Sequence, residues 1–215
     1  EGRYKITSAG KKGYVLAVTD PYKESGDLNV GVAANSPAQS WIITKDTASS
    51  GYIYKTVLDT TRVLDAGGYK DNLKNSPNIA VWIAGNNTPS EHNTAVFRIS
   101  TYTNEDGYAI RSGDTKWVLN IEDDNNVKIA AYNSSNNQKW SFTPVTYTVA
   151  FDANGGTGSM SKQDIHMDSS GVKLAANTFE RTSYEFAGWN TAKDGTGESY
   201  DDQAALDKNL TKTEE

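Results

Sequence analysis

Cysteine is absent from this chain of 215 residues, which removes disulfides, thiolate nucleophiles and cysteine-based metal sites at once. Histidine is almost as scarce. His92 and His166 lie in different segments, too few and too scattered for a catalytic triad or a zinc centre. No stretch approaches the roughly 18 apolar residues that cross a bilayer as a helix, so membrane insertion is not expected. Excess positive charge is missing too. Residues 1–145 carry fifteen Lys/Arg and fifteen Asp/Glu, and residues 146–215 carry six against twelve. Neither part offers a basic surface to a phosphate backbone, and nucleic acid is not an expected partner.

Other candidate sites fall away on their spacing. Gly67-Gly68 and Gly155-Gly156 are not followed by the lysine of a phosphate-binding loop. The run Glu122-Asp123-Asp124-Asn125-Asn126 lacks the alternating ligands and distal glutamate of a calcium loop, and reads as a solvated hairpin turn. Nothing selects a pair of acids for glycoside hydrolysis. The expectation is a protein without metal, cofactor or catalytic residues, whose catalytic domain, if it has one, lies outside this chain.

What is present is short and periodic. Apolar residues make up 36% of the chain, with 12 Tyr and 5 Trp, and 18 glycines break it into brief segments. That composition favours many short strands over helices. Three times the same pattern recurs at a period of about 50 residues. Val15-Leu16-Ala17-Val18, Val63-Leu64-Asp65-Ala66 and Val118-Leu119-Asn120-Ile121 each follow a turn, and lead through a polar stretch to a closing aromatic at Trp41, Phe97 or Trp140. Before each lies an alternating segment, at Tyr4–Thr7, Tyr52–Lys55 and Tyr108–Arg111, with the period of a half-buried strand. A third strand is predicted at Leu28–Val32, Ile79–Ile83 and Val127–Ala131. Four short strands cannot bury their faces alone, but three such copies around an axis close into a barrel without free edges. Trp41, Phe97 and Trp140 are then its equivalent buried plugs.

With its Val-Leu-Asp strand and Gln-x-Trp closing (Gln39-Ser40-Trp41, Gln138-Lys139-Trp140), the repeat resembles the ricin B-type β-trefoil lectin domain over residues 2–145. It departs from that family at Ala95-Val96-Phe97. The resemblance implies a sugar pocket built from an Asp ending the Val-Leu strand, an aromatic on the third strand, and an amide before the closing aromatic. Such a trio is chemically apt. A carboxylate accepts hydrogen bonds from adjacent sugar hydroxyls, an amide both donates and accepts, and an aromatic face covers the C–H side of the ring. Carried over, it selects Asp65 and Trp82 in the second repeat, with Asn93 as amide and Tyr69 as a pocket wall. The third repeat offers Asn120 and Asn137, with Ala130 at the aromatic position and Tyr132 two residues on. The first repeat has Ala17, Gly31 and Ala38 there and is expected to be structural. Asp65 has a second reading, as a cap for the turn at Ala66-Gly67-Gly68, and Trp82 a second reading as packing.

After Pro144-Val145 the pattern changes. Tyr147–Phe151 alternates like a strand, and Asn154-Gly155 is a strong turn signal. A short helix is expected around Asp201–Lys208, capped by Asp201 or Asp202. The motifs Val149-Ala150-Phe151-Asp152-Ala153-Asn154-Gly155-Gly156 and Tyr184-Glu185-Phe186-Ala187-Gly188-Trp189-Asn190-Thr191 closely resemble the Listeria–Bacteroides repeat of bacterial internalins, over about 147–211. That family implies a small β-grasp-like fold used as a spacer or adhesive stalk, ending in one further strand. The chain reads as an excised fragment, cut before that strand.

The expected architecture is therefore mainly β: a three-repeat β-trefoil over 1–145, then a small β-grasp-like α+β domain over 146–215. The expected function is non-catalytic binding of a host, plant or cell-wall glycan. The chain is expected to be a monomer, joined to other domains of a larger secreted or cell-surface bacterial protein such as a glycoside-acting enzyme or an adhesin. The rival is a structural or protein-binding module whose sugar sites have degenerated.

Overall fold

A computed structural model describes residues 1–19, 28–33, 40–47, 49–66, 79–83, 97–101, 107–112 and 116–206, with backbone alone at strand residues 28, 29, 32, 80–83 and 98–101. The chain divides into two compact units, Glu1–Val145 and Thr146–Glu215. Among the described residues no helix is long and apolar enough to cross a membrane.

In the first unit each repeat contributes four strands. They are β1 (Gly2–Ser8), β2 (Val15–Val18), β3 (Leu28–Ala33) and β4 (Trp41–Lys45), then β5 (Tyr52–Thr56), β6 (Arg62–Asp65), β7 (Ala80–Ile83) and β8 (Phe97–Thr101). The third set is β9 (Tyr108–Ser112), β10 (Trp117–Ile121), β11 (Val127–Ala131) and β12 (Trp140–Pro144). The first and last strand of each set pair in a ring, β1–β4–β5–β8–β9–β12 and back to β1, which closes a barrel and leaves those strands no open edge. The middle strands form hairpins β2–β3, β6–β7 and β10–β11, each joined to the barrel by one pair: Thr7↔Val15, Lys55↔Val63 and Arg111↔Val118.

The hairpins meet one another through their backbones. Val30 N donates to Ile79 O at 3.3 Å, Ile79 N donates to Val127 O at 3.0 Å, and Gly31 bridges Asn126. Gly31 is required there, because a Cβ would lie 2.6 Å from the Asn125 carbonyl oxygen. Lys11 Nζ reaches the same turn of the third repeat, donating to the Asp123 carbonyl at 3.1 Å and to Asn125 Oδ1.

Alternation decides what lies inside. Leu16 and Val18, Leu64 and Ala66, and Leu119 and Ile121 are buried at equivalent places, with Val30, Ile79 and Val127 opposite. Full burial of each such aliphatic side chain stabilises by about 1.5–3 kcal/mol. The closing aromatics Trp41, Phe97 and Trp140 are wholly buried, and each stands opposite a buried hydroxyl residue, Thr56, Ser112 or Ser8. Trp41 Nε1 donates to Leu16 O at 2.9 Å, and Trp140 Nε1 donates to Leu119 O at 3.4 Å. The second repeat solves the same place differently. Phe97 has no N–H to offer, and Tyr54 occupies the position of Ile6 and Ile110, its ring edge-on to Phe97 at 5.7 Å. The Tyr54 hydroxyl is buried without a hydrogen-bond partner among the described residues. Burial, and then the neighbouring Tyr52, push its pKa well above the ordinary tyrosine value.

In the second unit β13 (Thr146–Val149) pairs with β14 (Gln163–His166), and β15 (Trp189–Asn190) with β16 (Ser199–Tyr200). The predicted turn is formed, with Asn154 and Gly155 at φ 45° and 87° and Gly156 N donating to Ala153 O at 2.9 Å. Ile165, Leu174 and Leu206 form a small core with Tyr147, Val149, Phe151 and Trp189 against it. The helix expected over Asp201–Lys208 does not form in its described residues, 201–206. Gln203 is left-handed at φ 56°, and Asp202 Oδ1 accepts from Asn177 N at 2.8 Å instead of capping a helix. Leu206 N then donates to Val172 O, and Leu174 N to Ala204 O, both at 2.9 Å. Groups that a helix would pair locally are engaged in a long-range bridge.

Candidate functional site

The outer faces of the three hairpins are where the repeats part company. In β6–β7 the register is Val63↔Trp82, Leu64↔Val81 and Asp65↔Ala80. Side chains alternate along a strand, so Val63, Asp65, Ala80 and Trp82 share one face while Leu64 turns to the core. Asp65 and Trp82 are diagonal neighbours on that face, a relation with Cα atoms typically about 7–8 Å apart. Asp65 is half-buried and Val63 6% exposed. Tyr69 and Asn93 lie outside the described residues.

The same register assigns the other repeats. Val118↔Ala130 and Asn120↔Lys128 in β10–β11 put Ala130 at the place of Trp82 and Asn120 at the place of Asp65. Asn120 Nδ2 donates to Glu122 Oε1 at 2.9 Å and to Ile121 O at 3.2 Å, so its amide is engaged within the hairpin. Tyr132 packs against Ala109 and Val118, with the Arg111 guanidinium 4.6 Å over its ring. Asn137 lies in a 3-10 turn, Asn136–Gln138, its Oδ1 pressed against Gly10 so closely that a Cβ there would collide. Gln138 is wholly buried: Oε1 accepts from Asn133 N at 2.8 Å and Nε2 donates to Ala131 O at 2.9 Å. The glutamine of the closing triplet thus ties β11 to β12. Gln39 and Ala38 lie outside the described residues.

In β2–β3, Ala17 stands opposite Gly31, and Val15 opposite Ala33. The residue at the Trp82 position is therefore Ala33, two places beyond the Gly31 expected from sequence. Gly31 instead receives the third repeat's turn. Lys55 and Arg111 occupy one position on the barrel strands beside these faces, where the first repeat has Thr7.

The acidic run of the third repeat forms a turn closed by its own hydrogen bonds and docked on Lys11 and Gly31 of the first repeat. Glu122 N donates to Asn126 O at 2.9 Å, and the Asp124 carboxylate accepts from Asn126 N and Nδ2 at 3.0 and 2.7 Å. The Asn126 backbone N–H first, and its side-chain amide second, hold the Asp124 pKa below the usual carboxylate value. Among the described residues no cluster of His, Asp and Glu could hold a metal ion.

Comparison with known proteins bears on the fold of each unit. Residues 147–211 match the family model of the Listeria-Bacteroides repeat domain. No curated protein matches the sequence. Among solved structures, the designed three-fold symmetric protein ThreeFoil is 19% identical with a TM-score of 0.54, covering 67% of this chain and 100% of its own. The Rhizoctonia solani agglutinin is 18% identical with a TM-score of 0.51, over 66% of this chain and 93% of its own. A mosquitocidal holotoxin is 19% identical with a TM-score of 0.52, over 65% of this chain but 17% of that one. Both resemblances read from the sequence are borne out: the first unit has the β-trefoil fold, and the second matches the repeat.

Proposed function

We propose that the first unit is a non-catalytic carbohydrate-binding module, and that its site is the outer face of β6–β7. The observation that carries this is the register that puts Asp65 and Trp82 diagonally on one face. No other described hairpin has a carboxylate and an aromatic at these two positions. Asp65 would accept from neighbouring sugar hydroxyls, and Trp82 would cover the apolar side of the ring. Binding at one such shallow site is weak, and avidity would come from linked modules. The resemblance of the second unit to internalin repeats supports a spacer or adhesive role within a larger secreted or cell-surface bacterial protein.

One observation favours a second reading, a module whose sugar sites have decayed: the amides of Asn120 and Gln138 are engaged inside the fold. A glycan array of mucin glycans, plant polysaccharides and peptidoglycan fragments decides between them, run on wild type, Asp65→Ala and Trp82→Ala. Specific signal lost in both variants is expected. No signal on any glycan, or signal that both variants retain, supports the decayed module.

A further inference from the structure

One pair position on the barrel strands differs in charge from repeat to repeat. Thr7, Lys55 and Arg111 are equivalent, each pairing with the first valine of its own hairpin. On their other side they stand opposite Ser141, Ile42 and Arg98. Beside the first hairpin the pair is two hydroxyl residues, beside the second an aliphatic and a lysine, and beside the third two arginines. Like charges directly opposite in an antiparallel pair repel and lower stability. The backbone is the same at all three places, and the third alone carries that cost.

Arg111 is held in place. Its guanidinium lies 4.6 Å over the ring of Tyr132, which packs on Ala109 and Val118. Stacking uses the flat face of a guanidinium and leaves its edge, whose forked N–H groups match a planar carboxylate. The acids of the adjoining turn are engaged with their own neighbours. Glu122 Oε1 accepts from Asn120 Nδ2, and the Asp124 carboxylate accepts from Asn126. Lys128 stands opposite Asn120 and its ammonium acts on Asp124, so it is not counted with the arginines. Around the pair, the register puts Ser100, Ala109, Val118, Asn120 and Ala130 on the same face, and none of them is charged.

A second group meets the pair. Asn120 lies two residues beyond Val118, so it is the diagonal neighbour of Arg111 across β9–β10. Its Nδ2 is used within the hairpin, whereas its Oδ1 accepts no hydrogen bond among the described residues. An inorganic oxyanion would answer the arginines and leave that oxygen unserved. A neutral sugar would do the reverse. A sugar that carries a carboxylate serves both.

We propose that Arg98 and Arg111, with Asn120 beside them, form a second binding site of the first unit, for an acidic sugar. The carboxylate of the sugar pairs with Arg111, opposite Arg98, and a neighbouring hydroxyl donates to Asn120 Oδ1. The ligand class rests on the carbohydrate-binding reading of this unit. The site shares no residue with the face of β6–β7, and neutral glycans are left to Asp65 and Trp82.

The test titrates the full chain with oligogalacturonate, with its methyl ester, polyglutamate and sodium sulfate as controls. NMR reads the Arg111 Nε–H and the backbone amides of residues 98–100 and 109–111. Shifts with oligogalacturonate alone are expected. Arg98→Ser, which installs the residue type of Ser141, should weaken binding tenfold or more, and so should Arg111→Lys, which keeps the charge and loses the fork. Asn120→Ala should weaken it several-fold. Without ligand, Arg98→Ser should raise the thermal midpoint by about 1–3 °C, since it relieves the repulsion. Asp65→Ala should leave binding unchanged, so this site and the one on β6–β7 fail separately. Equal binding of the methyl ester, of polyglutamate or of sulfate overturns the proposal. So do shifts centred on β6–β7, or a midpoint that falls in Arg98→Ser, which would make the pair structural.

Discussion

The second and third repeats of the trefoil share a layout of four strands and differ at the core plug and on the outer face of the hairpin. In the third, Trp140 fills the core and anchors itself to the Leu119 carbonyl, while outside Asn120 bonds to its own hairpin. In the second, Phe97 and Tyr54 fill the core together without that anchor, while outside Asp65 and Trp82 share a face. The core can change only by compensation, because its volume is shared. The positions of Asp65 and Asn120 lie outside that shared volume, so their residue types can differ from copy to copy.

The largest effect expected from breaking this comparison is at the shared plug. Trp140→Ala removes a wholly buried indole and its hydrogen bond, and should lower stability by about 3–5 kcal/mol in urea unfolding. Phe97→Trp makes the second repeat match the others at one position only. With Tyr54 still present it should overpack the core and cost about 1–3 kcal/mol. Adding Tyr54→Ile should recover much of that loss, a coupling a double-mutant cycle would report. Tyr54→Phe removes a buried hydroxyl that has no partner among the described residues, and should stabilise by about 1 kcal/mol.

The smallest effect concerns a turn of the second repeat. Asp59 Oδ1 accepts from Thr61 Oγ1 and Thr61 N at 2.6 and 2.9 Å, and these bonds first, then Arg62, hold its pKa below the usual value. A depressed carboxylate stabilises above its unfolded pKa of about 3.9 and loses that contribution as pH falls through the folded value. Wild type and Asp59→Asn should therefore converge in stability only below pH of about 4. The carboxylate is exposed, so the difference above that pH should be slight.

Much of this architecture was legible because a barrel strand writes its period into its side chains. The segments that carry Ile6, Tyr54 and Ile110 alternate large apolar with polar residues as a half-buried strand does, and the Val-Leu pairs recur at a fixed place after them. What long-range pairing decides was not legible. Ala204, Ala205 and Leu206 look locally like a helix, yet their partners are Val172, Lys173 and Leu174, some thirty residues earlier. The place of Ala33 was missed for a related reason. Hairpin register depends on the length of the intervening turn, and the three turns differ. The candidate site was legible as far as residue types go. That Asp65 and Trp82 share a face follows only from the register.

An NMR titration of the array-selected glycan, followed by backbone amide shifts across all three repeats, tests the central claim most directly. Shifts concentrated on β6–β7, and abolished by Asp65→Ala, are predicted. Shifts centred on β2–β3 or β10–β11, or spread equally over the three hairpins, would contradict it.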